Sequence, residues 1–245
     1  MYSVTQFMKE LPLLALVAIF CMLFVGFKRV RDFSISTEGG ANKDSKKIRK
    51  EFYELISQIV AECKKNRIYV KVLPLKILNS KDDLGFSSAP SWVHVVVYTP
   101  VVIKHYSKDP RIWEIAIVQS IGHELGHRQD IYRDRFHKKQ PEENQNFFYW
   151  TREIRCDFYG VDFAQSFREG YSRDEIITAV AKKADVYMHN SDYKPGHCKD
   201  HPSWEFRLSM LKKYTSFDER VIKDIMQEAK CTDDSYVKMI TEKLS

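Results

Sequence analysis

Apolar positions in the stretch 46–65 recur at three- and four-residue steps: Ile48, Phe52, Leu55, Ile56, Ile59, Val60 and Cys63. That spacing predicts an amphipathic helix. Ile68-Tyr-Val-Lys-Val72 alternates and is rich in β-branched residues, so it predicts a strand. Asp82-Asp83-Leu84-Gly85 reads as a turn. Trp92–Tyr98 predicts a second strand with Trp92, His94, Val96 and Tyr98 on one face and Val93, Val95 and Val97 on the other. Thr99-Pro100 can open a short helix carrying Val101, Val102 and Ile103.

Asp109-Pro110 is a helix start, an N-cap acid followed by proline in the first turn. Helical period then continues through Ile112, Ile115, Ala116, Val118, Gln119 and Gly122 to His127. From Arg128 to Gln145 the chain is polar and aperiodic, which reads as an exposed loop. A helix resumes near Phe147 and ends by Gly170, and Ser172 with Glu175 forms a capping-box signature for the next. Lys194-Pro-Gly196 breaks that helix, and two or three more fill 202–245, one of them capped by Ser216 with Glu219. The pattern predicts one mainly helical α+β domain over 46–245, with a small early sheet.

The first 45 residues are different. Residues 1–10 are a short tail, and Leu11–Phe27 carries no charge over seventeen residues. At about 1.5 Å per residue the run spans roughly 25 Å, the short end for a bilayer crossing. A cleaved signal peptide competes with a retained anchor. The run ends in Val-Gly-Phe-Lys-Arg with no small-x-small cleavage site, so the anchor is the expectation. A basic juxtamembrane linker over 28–45 follows. Residues 28–50 hold eight basic and three acidic side chains, a net +5 of the chain's +6. The positive-inside rule then places the C-terminal bulk in the cytoplasm, in a single-pass membrane protein whose 28–50 segment can also rest on anionic headgroups. The rest of the chain is near neutral, which argues against a nucleic-acid partner. At 44% hydrophobic and 29% charged the composition excludes a largely disordered chain. The five cysteines form no CxxC spacing, so neither a disulfide framework nor a thiolate zinc finger is expected.

The chemistry lies in His123-Glu124-Leu125-Gly126-His127. Two imidazoles four residues apart on a helix share one face and can reach a single Zn²⁺. Glu124, one residue along, is placed to act as general base on a metal-activated water. Two surface histidines on an amphipathic helix is the plainer alternative. A catalytic zinc needs a third protein ligand and an open position. Glu153 and Asp157 share a helix face, so Glu153 can ligate while Asp157 supports a ligand from behind. An exposed carboxylate pair balanced by Arg152 and Arg155 fits that spacing equally well. His201-Pro202 then opens a late helix with Arg207 six residues after the histidine, while His197 and Cys198 read as loop residues near the cleft rim.

HExxH, ExxxD on a following helix and His-Pro-x4-Arg, in that order, resemble the gluzincin metallopeptidases that include HtpX, the CAAX prenyl proteases and BepA. The resemblance covers roughly 68–214. It implies a zincin-like, mainly helical α+β fold, here preceded by the one transmembrane helix read from 11–27, and hydrolysis of protein or peptide substrates by a zinc endopeptidase that this helix would anchor to the membrane. His123, His127 and Glu153 would be zinc ligands and Glu124 the base. Asp157 would orient a ligand and pair with Arg207, and His201 would donate to the developing oxyanion. The strand containing Val93, Val95 and Val97 would be the edge strand that pairs with extended substrate. The chain departs from the pattern in three places. The interval from His127 to Glu153 is short and lacks the apolar hairpin of multi-spanning members, Ser88-Ala89-Pro90-Ser91 replaces Asn-Ala-Phe, and Cys156 stands where Ala is common. Two other readings stay open: a catalytically silent, membrane-tethered zincin-like binding module, and a soluble repressor-cleaving HELGH peptidase.

Overall fold

Helix α1 spans Lys43–Lys65 and buries Phe52, Leu55, Ile56, Ile59 and Cys63 along one stripe, with Phe52 edge-on to the Tyr106 ring. The outer face carries i,i+4 pairs such as Lys47–Glu51 and Lys50–Glu54, which are solvated and contribute little. The structure, a computed structural model, describes residues 43–65, 71–75, 86–88, 94–98, 105–129, 144–167, 170–189, 196, 198 and 200–244. The anchor expected over 11–27, most of the basic linker, the turn at 82–85, the short helix after Pro100 and most of the loop at 128–145 lie outside these residues. Among the described residues no helix is long and apolar enough to cross a membrane.

Three short strands follow α1: β1 (Lys71–Leu75), β2 (Phe86–Ser88) and β3 (His94–Tyr98). They form one sheet in the order β1-β3-β2, with β1 parallel and β2 antiparallel to β3. Of the strand expected over 68–72, Lys71 and Val72 lie in β1 and the earlier residues lie outside the described ones; β1 runs through Pro74. Proline donates no ladder hydrogen bond, and β1 tolerates it at the outside of the sheet.

The remaining described elements are helices: α2 (Pro110–Gln129), α3 (Gln145–Phe167), α4 (Arg173–Met188), α5 (Trp204–Lys213), α6 (Glu219–Glu228) and α7 (Ser235–Leu244). The protein is mainly helical, as its periodicity implies. α2 is the centre of the fold, packing chiefly on α3, then on α4, with β2 against it. Every residue from Ile115 to Gly126 is buried, so α2 is covered on all sides rather than along one stripe. Glycines let α2 and α3 approach closely. A Cβ on Gly160 would stand 2.6 Å from the Gln119 carbonyl oxygen, and one on Gly122 would stand 2.8 Å from Phe163 Cβ. Neither distance is attainable, so the crossing requires glycine at both positions.

The capping box expected at Ser172 is present: Ser172 Oγ accepts from the Glu175 amide at 3.2 Å, and the Glu175 carboxylate accepts from the Ser172 amide at 2.9 Å. The cap expected at Ser216 is corrected. Asp218 is the N-cap of α6, its carboxylate accepting from the Arg220 and Val221 amides, while Ser216 lies two residues before it and is exposed.

Candidate metal centre

The α2–α3 crossing brings His123 and His127 of α2 against Glu153 of α3. Their ligand atoms form a small triangle. His123 Nε2 lies 3.1 Å from His127 Nε2 and 3.4 Å from Glu153 Oε2, and His127 Nε2 lies 3.4 Å from Glu153 Oε1. The group is buried: Glu153 is 1% exposed, and the two imidazoles are covered on all but a small part of their surface.

These distances fit a metal ion. Ligand bonds of about 2.0–2.1 Å at tetrahedral angles separate neighbouring donors by about 3.3–3.4 Å. The separation of the two imidazole nitrogens is close to that, and each imidazole lies 3.4 Å from a different oxygen of the Glu153 carboxylate. Two imidazole nitrogens and one carboxylate oxygen also form a donor set that suits a borderline divalent ion. A buried His123–His127–Glu153 group that could hold a metal ion is therefore present.

The histidines are held from behind by different groups. Asp157 Oδ1 accepts from His123 Nδ1 at 2.9 Å. Arg207 of α5 grips Asp157 with two bonds, Nε to Oδ2 at 2.8 Å and Nη2 to Oδ1 at 2.7 Å. Asp157 is 1% exposed and Arg207 7% exposed, so this is a buried, bidentate ion pair. Burial alone would raise the Asp157 pKa, but the Arg207 guanidinium and the His123 bond together hold it well below the usual carboxylate range. His127 Nδ1 instead faces Cys156 Sγ at 3.4 Å.

Without a metal the two imidazoles behave oppositely. Burial disfavours charge on both. On His123 the hydrogen bonds and charges of Asp157 and Glu153 outweigh it and raise the pKa to about 9. On His127 burial and the neighbouring His123 cation prevail and lower it to about 3. The metal-free pair thus shares a single proton near neutral pH. Glu153 stays ionised despite its burial, held below its ordinary range chiefly by its bond to His123.

His201 precedes α5 with its side chain about half exposed, Nε2 3.6 Å from Glu153 Oε2. It stands at the rim of the triangle and not among the three closest donors. The Trp150 indole of α3 donates to the Cys198 carbonyl at 3.0 Å, and the Cys198 amide donates to the His201 carbonyl at 3.0 Å, so the turn bearing His201 is pinned to α3. Glu124, the residue after His123 on α2, is buried, 6% exposed.

The edge-strand expectation is corrected. Val95 and Val97 lie on β3, which is the central strand, paired with β1 on one side and β2 on the other. Both of its edges are used, so it has no free ladder to offer a substrate. Val93 lies outside the described residues. The terminal strand lying against α2 is β2.

Sequence reasoning passed over Lys183. It sits in the apolar stripe Ile176, Ala179, Val180, Lys183, Ala184 of α4 and is 5% exposed. Its ammonium donates to Gln119 Oε1 at 3.0 Å and Ser120 Oγ at 2.7 Å, one turn before the two site residues His123 and Glu124. Burial, aided by the Arg207 cation, lowers its pKa to about 8. The Trp204 ring has both the Lys183 ammonium, at 5.3 Å, and the Arg207 guanidinium, at 4.2 Å, near its centroid. A lysine seven residues after Ile176, within the apolar stripe of α4, was the available signal. No family model, curated protein or solved structure matches the chain.

Proposed function

We propose that the protein is a zinc-dependent endopeptidase of the gluzincin type, anchored in a membrane by 11–27 with its peptidase domain on the cytoplasmic side. The observation that carries this reading is the triangle of His123 Nε2, His127 Nε2 and the Glu153 carboxylate, with sides of 3.1–3.4 Å. A Zn²⁺ ion held there supplies a Lewis acid that polarises a carbonyl and lowers the pKa of water toward about 7.

The chain's own residues supply the rest. Glu124 takes a proton from the attacking water and returns it to the leaving amine. His201, at the rim, donates a hydrogen bond to the oxygen of the attacked carbonyl as charge develops on it. Asp157, locked by Arg207, fixes the His123 tautomer so that Nε2 faces the triangle. An extended peptide would add by main-chain hydrogen bonds to the side of β2, the strand beside α2, that pairs with no other strand among the described residues. Substrates are protein or peptide segments near the bilayer, and no nucleic acid is involved.

The test uses the full chain in detergent micelles, with metal content and casein cleavage measured together. One zinc per chain is expected. Glu124→Gln should keep the metal and lose at least about 100-fold in hydrolysis, the scale of general-base assistance. His123→Ala should lose the metal. Cleavage by Glu124→Gln at the wild-type rate would overturn the reading.

A further inference from the structure

Two consecutive residues of α3 stand behind the two imidazoles of α2: Asp157 behind His123 and Cys156 behind His127. We propose that Cys156 is a positioning residue for His127, its sulfur accepting the Nδ1–H bond that turns Nε2 toward the metal. This rests on the metal-centre reading above.

His127 Nε2 belongs to the donor triangle, at 3.1 Å from His123 Nε2. An imidazole that lends Nε2 to a metal carries its proton on Nδ1, and that proton needs an acceptor. Cys156 Sγ stands 3.4 Å from Nδ1. The thiol is 1% exposed, so water has little access to take its place. The backbone fixes it there as well. A Cβ on Gly126, the residue before His127, would lie 3.2 Å from both Cys156 Sγ and Cys156 Cα, so the helices are in contact at this point. The two supports differ in strength. Asp157 is anionic and held by Arg207, whereas a thiol is a weak, neutral acceptor. The His127 arm is therefore the softer side of the centre, and metal affinity is most easily tuned there.

The test compares wild type, Cys156→Ala and Cys156→Ser as full chains in detergent. Zinc affinity is measured by chelator competition, visible absorption with Co²⁺ in place of zinc, and folding by thermal unfolding of the metal-free proteins. Cys156→Ala should lose about tenfold or more in zinc affinity, the usual scale for removing a group behind a ligand. Cys156→Ser keeps an acceptor, so it should stay within about threefold of wild type while shifting the Co²⁺ band. Wild-type affinity in Cys156→Ala overturns the proposal. So does a loss in Cys156→Ser equal to that in Cys156→Ala, which would assign the effect to volume, or a Co²⁺ band unmoved by serine. Wild type that binds no stoichiometric metal overturns the metal-centre reading, and this inference with it. That failure shows in the unsubstituted chain and so is distinguishable.

Discussion

The α2–α3–α5 region and the α6–α7 region handle charge in opposite ways. Around α6, Val221, Ile222 and Ile225 face inward, and the charges sit at the surface as pairs such as Lys223–Glu219 and, from the last residue of α5, Lys213 with the partly exposed Asp224. Each such pair is screened and close to dispensable. Around α2, Glu124, Glu153, Asp157, Lys183 and Arg207 are all buried. Each needs a specific partner, because a buried charge left alone costs several kcal/mol. The lesson is that α6 follows ordinary rules of stability, whereas the site region carries charges that stability alone would not select.

The largest effect should therefore come from breaking the buried pair. Arg207→Met leaves Asp157 ionised and without its bidentate partner, and is expected to cost about 3–5 kcal/mol. Urea unfolding of the metal-free protein measures it. Lys213→Met, which removes an exposed partner of Asp224, should cost no more than about 1 kcal/mol by the same measurement. Equal losses in the two variants would erase the distinction between the regions.

A pH series sharpens it further. His123 is raised to about 9 in the folded, metal-free chain, against about 6.5 unfolded. Its contribution to stability is complete below pH 6.5 and is lost as pH rises toward 9. Lys183, lowered to about 8, acts the other way above pH 8, where the unfolded chain holds the extra proton. His127, lowered to about 3, makes stability rise with pH between 3 and 6.5. The metal-free stability should peak near pH 6.5 and fall between 6.5 and 8 by up to about 2 kcal/mol, a drop of about 4–8 °C in Tm. Saturating zinc should remove the decline, because a ligating His123 carries no proton on Nε2. A metal-free Tm flat from pH 6.5 to 8 would show that His123 holds no extra proton.

The same contrast explains what the sequence made legible. α1 and the Ser172 cap follow from periodicity and a local hydrogen-bond code, both of which act within a few residues. The site was legible as spacing: His123 with His127, Glu153 with Asp157, and His201 with Arg207. Whether these three stretches meet depends on the α2–α3 crossing, which Gly122, Gly126 and Gly160 permit. Glycines within helices do not announce a contact in one sequence. Lys183 was missed because a lysine in an apolar stripe reads as a long side chain reaching solvent. Here Gln119 and Ser120, contributed by another helix, capture it instead. The central place of β3 is not legible in the sequence because alternation identifies a strand but not its neighbours, and β1, which pairs with β3 in parallel, is distant from it in sequence.

The smallest predicted effect concerns the start of α6, where two nearby residues compete for one role. Serine followed three residues later by glutamate is a capping-box signature, and Ser216 with Glu219 satisfies it. Asp218, however, has extended backbone (φ −135°, ψ −173°) and its carboxylate accepts from the Arg220 amide at 2.9 Å. A carboxylate there also faces the positive end of the helix dipole, which a serine hydroxyl does not exploit as well. Asp218→Ala should cost about 1 kcal/mol, and Ser216→Ala less than about 0.5 kcal/mol. Denaturant midpoints of the two single variants decide the matter. A larger loss from Ser216→Ala would move the helix start two residues upstream and restore the cap that the sequence pattern suggested.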